Sequence, residues 1–320
     1  MQITFLGTSS GVPTRGRNVS SVAVRLPQRA EVWLLDCGEA TQHQLLRSDV
    51  KISQISKIFI THMHGDHIFG LPGLLASCGM AGNVSHIDIY GPSGLGEYLD
   101  ACLRYSETRL SYSIKVHRVK AGLVCEDADF YMMAAPLKHK VTAHGYRLVE
   151  RDRAGKFDVD KAIAMNIPAG PIFGELKQGK TVTLPDGRQV DGKQFCGAPL
   201  IGRKIAYCTD TIFCDSSVEL AQNADVLIHE STFAHQDSEM AFQRLHSTST
   251  MAAQVALLAN VKQLIMTHFS PRYAPGNPIL LEDLVKEARM IFANTIPAHD
   301  FLTYEIAPSA FRSNPNQEKT

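Results

Sequence analysis

Short apolar runs alternate with longer stretches of mixed character along this chain, and several of the short runs end alike. "KIFI" at Lys57–Ile60 is brief and rich in β-branched and aromatic residues, which predicts a buried strand. The polar stretch Thr61–Asp66, with Gly65 inside it, predicts a loop at the carboxyl end of that strand. "DHIFGLPGLLASCGM" predicts a helix with Asp66 near its start, interrupted in propensity by Gly70 and Pro72. The same grammar recurs in "MMAAPLKHK", "IAYCTDT" and "VKQLIMTHFS", where His139, Asp210 and His268 follow strand-like runs. The whole pattern is strand and helix in alternation, an α/β chain with no repeat of solenoid length and a weak halving near residues 150–200.

That middle region differs from its surroundings. Residues 150–195 are polar, rich in Gly and Pro, and contain the hairpin-like "LPDGRQV". They carry eight Lys and Arg against seven Asp and Glu and read as a surface insertion.

Composition narrows the picture mainly by exclusion. The 320 residues are 44% hydrophobic and 20% charged, enough for one large domain or two small ones. Thirty-two basic residues balance 32 acidic ones, so no global charge argues for a nucleic-acid partner, although a local basic face fits within a neutral total. The N-terminal "MQITFLGTSS" lacks a basic region followed by an apolar core, so no signal peptide is expected. Nowhere do about 18 apolar residues run together, so no membrane span is expected. Seven cysteines, odd in number and without a C-x-x-C pair, read as free thiols in a reducing compartment, which places the protein in the cytoplasm.

The candidate chemistry lies in "IFITHMHGDH", where His62, His64, Asp66 and His67 fall within six positions. His62 and His64 are two apart, so in extended geometry both side chains reach one metal, while Asp66 and His67 follow the turn and can serve a second. A loop held by a buried strand suits ligands because the strand fixes their position. His139, Asp210 and His268 would each, alone, read as an ordinary core or capping residue. Together with His62–His67 they make a set of imidazoles and carboxylates that suits zinc or manganese.

H-x-H-x-D-H followed by an isolated His, an Asp and a His in that order resembles the metallo-β-lactamase superfamily. "PLKH" at Pro136–His139, "HEST" at His229–Thr232, "HST" at His246–Thr248, "FLGTSSGVPTRGRNVSS" and "LLDCGEAT" are similar to the signatures of the ribonuclease Z family, the transfer-RNA 3′-processing endonucleases. The resemblance runs from about Gln2 to about Glu305, and "HEST" departs from the usual "HEAT" only by a small serine. It implies a four-layer αβ/βα sandwich, one domain over 1–307 with an arm inserted at about 150–200. The tail from residue 308 matches nothing and reads as disordered.

The same resemblance implies roles. One divalent ion would take His62, His64 and His139, another Asp66, His67 and His268, with Asp210 bridging them. Asp66 would accept the proton of water, and His246 would be the general acid, oriented by Glu230. "HST" also reads as the cap of an amphipathic helix, a role compatible with the first. Asp36 is expected behind a ligand histidine. "AGPIFGELKQG" is similar to the arm that grips the transfer-RNA elbow, through Gly170, Pro171, Leu176 and Lys177. The expected activity is that of a zinc-dependent phosphodiesterase, acting as a homodimer. It would cut precursor transfer RNA to leave a 3′-hydroxyl on the transfer RNA and a 5′-phosphate on the trailer. Two other readings compete: a hydrolase of the same fold acting on a small ester, and a metal-free RNA-binding member. "GTSSG" and Arg15–Arg17 are weak candidates for phosphate contacts. His144 is expected not to ligate, and His43, His86, His117, His235 and His299 read as core or surface residues outside any cluster.

Overall fold

The computed structural model describes residues 1–80 and 84–310. They divide into two compact units, one built from Met1–Val149 and Lys204–Ile306, the other from Glu150–Arg203 and the chain from Ala307.

The first unit holds two seven-stranded sheets. One sheet runs, edge to edge, Thr303–Glu305, Gln2–Gly7, Ser21–Leu26, Glu31–Leu35, Ile55–Phe59, His86–Gly91 and Ser113–Arg118. It is antiparallel up to Glu31–Leu35 and parallel from there on. The other runs Thr295–Pro297, Gln263–Thr267, Val226–Glu230, Lys204–Cys208, Ala143–Glu150, Phe130–Leu137 and Gly122–Glu126, with its first four strands parallel.

Alternation of side chains assembles the layers. Phe5 and Phe59 point into a core shared with Tyr146, Tyr207, Ile228 and Ile265 of the other sheet. Their neighbours Leu6, Ile58 and Ile60 point the opposite way, against Leu45, Leu74 and Leu99 of helices Thr41–Leu46, Leu71–Met80 and Leu95–Tyr105. Ala206, Leu264 and Met266 likewise leave the central core to meet helices Asp215–Ala221, Ser249–Leu258 and Leu281–Ile291. Central strands are therefore buried on both faces, which is why they read as continuous apolar runs rather than as alternating ones. This is the four-layer αβ/βα sandwich.

The helix expected from Asp66 is split into Gly65–Ile68 and Leu71–Met80. A Cβ at Gly70 would sit 1.9 Å from the Gly38 carbonyl oxygen, so only glycine lets the two loops meet there. Pro72 falls in the first turn of the second helix, where its missing N–H costs nothing.

The second unit has its own core, in which Phe157, Ile167, Leu176, Val182, Leu184, Val190 and Phe195 are buried. The expected hairpin is present: Thr181–Thr183 pairs antiparallel with Gln189–Asp191. The expectation of disorder from residue 308 gives way at Ser309–Ala310, whose backbone pairs antiparallel with Leu200–Ile201. Residues 311–320 lie outside the described residues. No helix among the described residues is long and apolar enough to cross a membrane.

At the chain ends of the second unit, Arg203 Nε and an Arg203 terminal nitrogen donate to the Glu150 carboxylate at 2.6 and 2.9 Å, and Arg153 donates at 2.9 Å. Burial alone would raise the Glu150 carboxyl, but the Arg203 side chain and backbone N–H outweigh it and hold the group below its ordinary value. The pair's stabilisation is thus complete above the ordinary carboxylate range, about pH 4.3, and is lost as pH falls through the depressed value. Removing one partner of a buried pair costs about 3–5 kcal/mol. Arg203→Met is expected to speed proteolytic clipping within residues 150–203 at neutral pH and to flatten its increase towards pH 3. Unchanged clipping at both pH values would show that the pair does not hold this unit.

Candidate active site

Every predicted ligand stands just beyond the carboxyl end of a strand. Ile55–Phe59 leads to His62, His64, Asp66 and His67, Phe130–Leu137 to His139, Lys204–Cys208 to Asp210, and Gln263–Thr267 to His268. Three of the strand-end turns are made by non-glycine residues in the left-handed region, Asp36 (φ 59°), Asp210 (φ 49°) and His268 (φ 58°). Such conformations cost roughly 1–3 kcal/mol each and persist where the surroundings over-determine them.

The structure brings all seven predicted ligands together. His62, His64, His139 and Asp210 form one group whose ligand atoms lie within 4.8 Å of one another, and Asp66, His67 and His268 form another. Asp210 faces both groups with different oxygens. Its Oδ2 is 3.5 Å from His62 Nε2 and 3.8 Å from His139 Nε2. Its Oδ1 is 3.2 Å from His67 Nε2 and 3.1 Å from His268 Nε2. Asp66 Oδ2 completes the second group at 3.4 Å from both His67 Nε2 and His268 Nε2. Ligand atoms about 2.0–2.1 Å from a tetrahedral ion stand about 3.4 Å apart, so these separations fit a divalent metal.

The tautomers fit as well. The Thr61 N–H and hydroxyl donate to Asp36 at 2.8 and 3.0 Å. The Thr61 hydroxyl oxygen is thereby free to accept from His62 Nδ1 at 3.0 Å, which leaves a lone pair on His62 Nε2. Asp36 Oδ2 also accepts from His67 Nδ1 at 2.8 Å and from the Tyr207 hydroxyl at 3.0 Å. On the other sheet, Thr232 donates to Glu230 and accepts from His268 Nδ1 at 3.0 Å, while Glu230 accepts from His246 Nδ1 at 2.8 Å. His139 Nδ1 donates to the Leu245 carbonyl at 3.0 Å. His67 Nε2 is buried with no hydrogen-bond partner, as a ligand atom aimed at a cation would be.

The electrostatics follow from this arrangement. Burial lowers His139 to about 4, because Asp210 and the Leu245 carbonyl only partly offset it, so His139 is a neutral imidazole with a lone pair to give. His64 is lowered by the same cause, reinforced by His62. Burial also disfavours charge on His67, yet Asp210, Asp66 and Asp36 together raise it well above its ordinary value. Three carboxylates closing on one imidazole leave negative charge that a divalent cation would neutralise. His246 is pushed up to about 9, since Glu230, Asp210 and Asp66 outweigh its desolvation.

The family model described as "Anti-Pycsar protein Apyc1" matches residues 1–276. Ribonuclease Z of Trichodesmium erythraeum is 68% identical over 306 residues, covering 96% of this chain and 95% of that protein. Ribonuclease Z of Nostoc punctiforme is 67% identical and covers 96% of each chain. The chain belongs to both the Apyc1 family and the ribonuclease Z family. Its fold is similar to the solved short form of human tRNase Z at TM-score 0.68 and 30% identity, over 96% of this chain and all of that one. It is a hydrolase of the metallo-β-lactamase fold.

Several expectations need correction. Leu176 is fully buried in the core of its unit and offers no surface to a substrate, whereas Gly170, Pro171 and Lys177 are exposed. Arg17 is half-buried and its Nη1 is engaged within the protein, donating to Thr8 Oγ1 at 2.6 Å and to the Ala298 carbonyl at 2.8 Å, whereas Arg15 is exposed. His86 and His117 are not isolated: His86 reaches Asp88 two residues along its own strand at 3.3 Å, and His117 reaches it from the adjacent strand at 2.6 Å. The spacing of His86 and Asp88 on one strand puts them on the same face, whereas His117 arrives only through strand register. His144 joins neither metal group, and its buried Nδ1 has no partner. Ser231, the departure in "HEST", is buried with an unpartnered hydroxyl. Sequence reading overlooked Thr61, Thr232 and Tyr207, and the only available signal was that each threonine adjoins a motif residue.

Asp36→Asn tests the tautomer argument. Asparagine tolerates the left-handed backbone, keeps an acceptor for Thr61, and turns an NH2 group towards His67 Nδ1. His67 would then carry its proton on Nε2, facing Asp66 and Asp210. Divalent-metal affinity is expected to fall about 10- to 100-fold, measured by competition with a chelating dye, with the far-ultraviolet circular dichroism unchanged. Undiminished affinity would mean that Asp36 does not set the tautomer.

Proposed function

We propose that this chain is a metal-dependent endoribonuclease that cuts precursor transfer RNA on its 3′ side. The cut leaves a 3′-hydroxyl on the transfer RNA and a 5′-phosphate on the trailer. The observation that carries the reading is the pairing of two ligand groups that share Asp210 with an adjacent Glu230–His246 dyad. Two ions, zinc or manganese, would suit the nitrogen and oxygen donors: His62, His64 and His139 would hold one, Asp66, His67 and His268 the other, and Asp210 would serve both. Bound there, such ions lower the pKa of water towards neutrality and neutralise charge on the phosphoryl oxygens.

The chain's own residues do the rest. Water attacks phosphorus, and Asp66 accepts its proton. The P–O3′ bond breaks, and His246 delivers a proton from Nε2 to the departing ribose oxygen while Glu230 holds Nδ1. His246 can also group with Asp210 and His268 as a ligand, but its Nδ1 is held by Glu230 at 2.8 Å and the acid role needs only Nε2. The exposed Gly170, Pro171 and Lys177 are the elements of the second unit available to grip the transfer-RNA elbow. Free thiols at all seven cysteines suit the reducing cytoplasm, and membership of the family favours a homodimer, which sedimentation of the purified chain would read directly.

Two experiments test this. His246→Ala is expected to slow precursor cleavage by about 100- to 10,000-fold, because an alkoxide leaves poorly without a proton. Hydrolysis of a bis-nitrophenyl phosphodiester, whose leaving group needs none, should change little. Equal losses on both substrates would give His246 a structural or metal-supporting role. Separately, replacing residues 155–195 with a short flexible linker should weaken binding and processing of precursor transfer RNA while the small diester is still cut. A small-ester hydrolase would bind no transfer RNA before or after deletion, and a metal-free binding member would bind it without cutting either substrate. Loss of small-diester activity in a folded, metal-loaded deletion would place the segment in the active site and refute its role as a remote grip.

A further inference from the structure

Phe69 is an anomaly beside the ligand cluster. It follows directly on helix Gly65–Ile68, three residues after Asp66, and its side chain is 63% exposed. It belongs to none of the hydrophobic cores among the described residues. The ring is nevertheless held. A Cβ on Gly65 would come within 2.2–2.7 Å of three of its ring carbons, so the ring lies directly on the Gly65 backbone and presents its remaining surface to solvent. It forms one wall of a cavity of about 390 Å³. Val12 and Pro13 line the same cavity, and Val12 is 57% exposed. The Gly11 N–H ties that loop to the ligand cluster, donating to Asp66 Oδ2 at 2.8 Å. His64 and Asp66 also line the cavity, so it opens on the reacting centre.

A fixed aromatic surface facing solvent beside a phosphodiester site fits an unpaired nucleobase. A base adjoining the scissile phosphate lies within a few ångströms of it through its ribose, which matches the three-residue step from Asp66 to Phe69. Stacking on an aromatic ring tolerates any base identity, as an enzyme acting on many transcripts requires. Exposed apolar surface without a core role is the expected mark of such a contact. We propose that Phe69 is a substrate-binding residue that stacks on the base of one nucleotide flanking the scissile bond, with Val12 and Pro13 closing the opposite side of the slot. This rests on the reading of the protein as a ribonuclease.

The test compares intact precursor transfer RNA with two precursors that are abasic at one or the other flanking nucleotide, and with the bis-nitrophenyl diester. Phe69→Ala is expected to lower kcat/KM on intact precursor about 10- to 100-fold, the effect of removing one stacking aromatic. On one of the abasic precursors wild type and variant should agree within about threefold, since the partner of the ring is already missing. Phe69→Leu preserves packing on Gly65 without an aromatic face and should resemble Phe69→Ala, whereas Phe69→Trp should restore most of the rate. Divalent-metal affinity and far-ultraviolet circular dichroism should be the same for all, since Phe69 belongs to neither ligand group. Equal losses on the intact and both abasic precursors, or a loss of metal affinity in the variants, would overturn the proposal and give Phe69 a structural role. A wild-type protein that cuts the diester but no precursor would overturn the ribonuclease reading itself. A wild type that cuts precursor while Phe69→Ala matches it would overturn the stacking alone.

Discussion

The buried carboxylate of Asp36 is the constraint on which the site depends. It is fully enclosed and has a left-handed backbone, and it accepts from the Thr61 amide and hydroxyl, from His67 Nδ1 and from the Tyr207 hydroxyl. A charge so deeply buried is tolerable only when its acceptor capacity is filled. Filling it joins the ends of two neighbouring strands of one sheet to a strand of the other and to the helix that carries His67. The ligand loop is thereby fixed from behind, on the side away from the reacting centre.

A second carboxylate plays the matching part across the sandwich. Glu230 binds His246 directly and His268 through the Thr232 hydroxyl, just as Asp36 binds His67 directly and His62 through Thr61. Each hub thus sets the tautomers of two imidazoles, one through a charged contact and one through a threonine relay. Asp210 stands between them and turns one oxygen to each ligand group. The directly held histidines differ in consequence. His67 is surrounded by three carboxylates, while His246 stands at the edge of the cluster, its side chain about 15% exposed.

Much of this was legible in the residues before any coordinates. Strands buried on both faces must be continuous apolar runs, so "KIFI", "IAYC" and "QLIM" announced themselves, and the ligating residue after each run was visible as a polar exception. The spacing of His62 and His64 dictated that both reach one side, and their facing nitrogens lie 3.1 Å apart. Contact across long separations was not legible, because nothing local encodes it. That Tyr207 would reach Asp36, 171 positions away, depends on how the two sheets face each other. The burial of Leu176 depends on the core of its own unit, and the arrival of His117 at Asp88 on strand register. The sequence by itself determined the element types, the α/β alternation and which imidazoles and carboxylates are candidate ligands, since these follow from periodicity and side-chain chemistry. Only the tertiary structure decided which oxygen of Asp210 faces which histidine, which tautomer each imidazole holds, and that Phe69 faces solvent. Those properties belong to the packing of distant segments against one another.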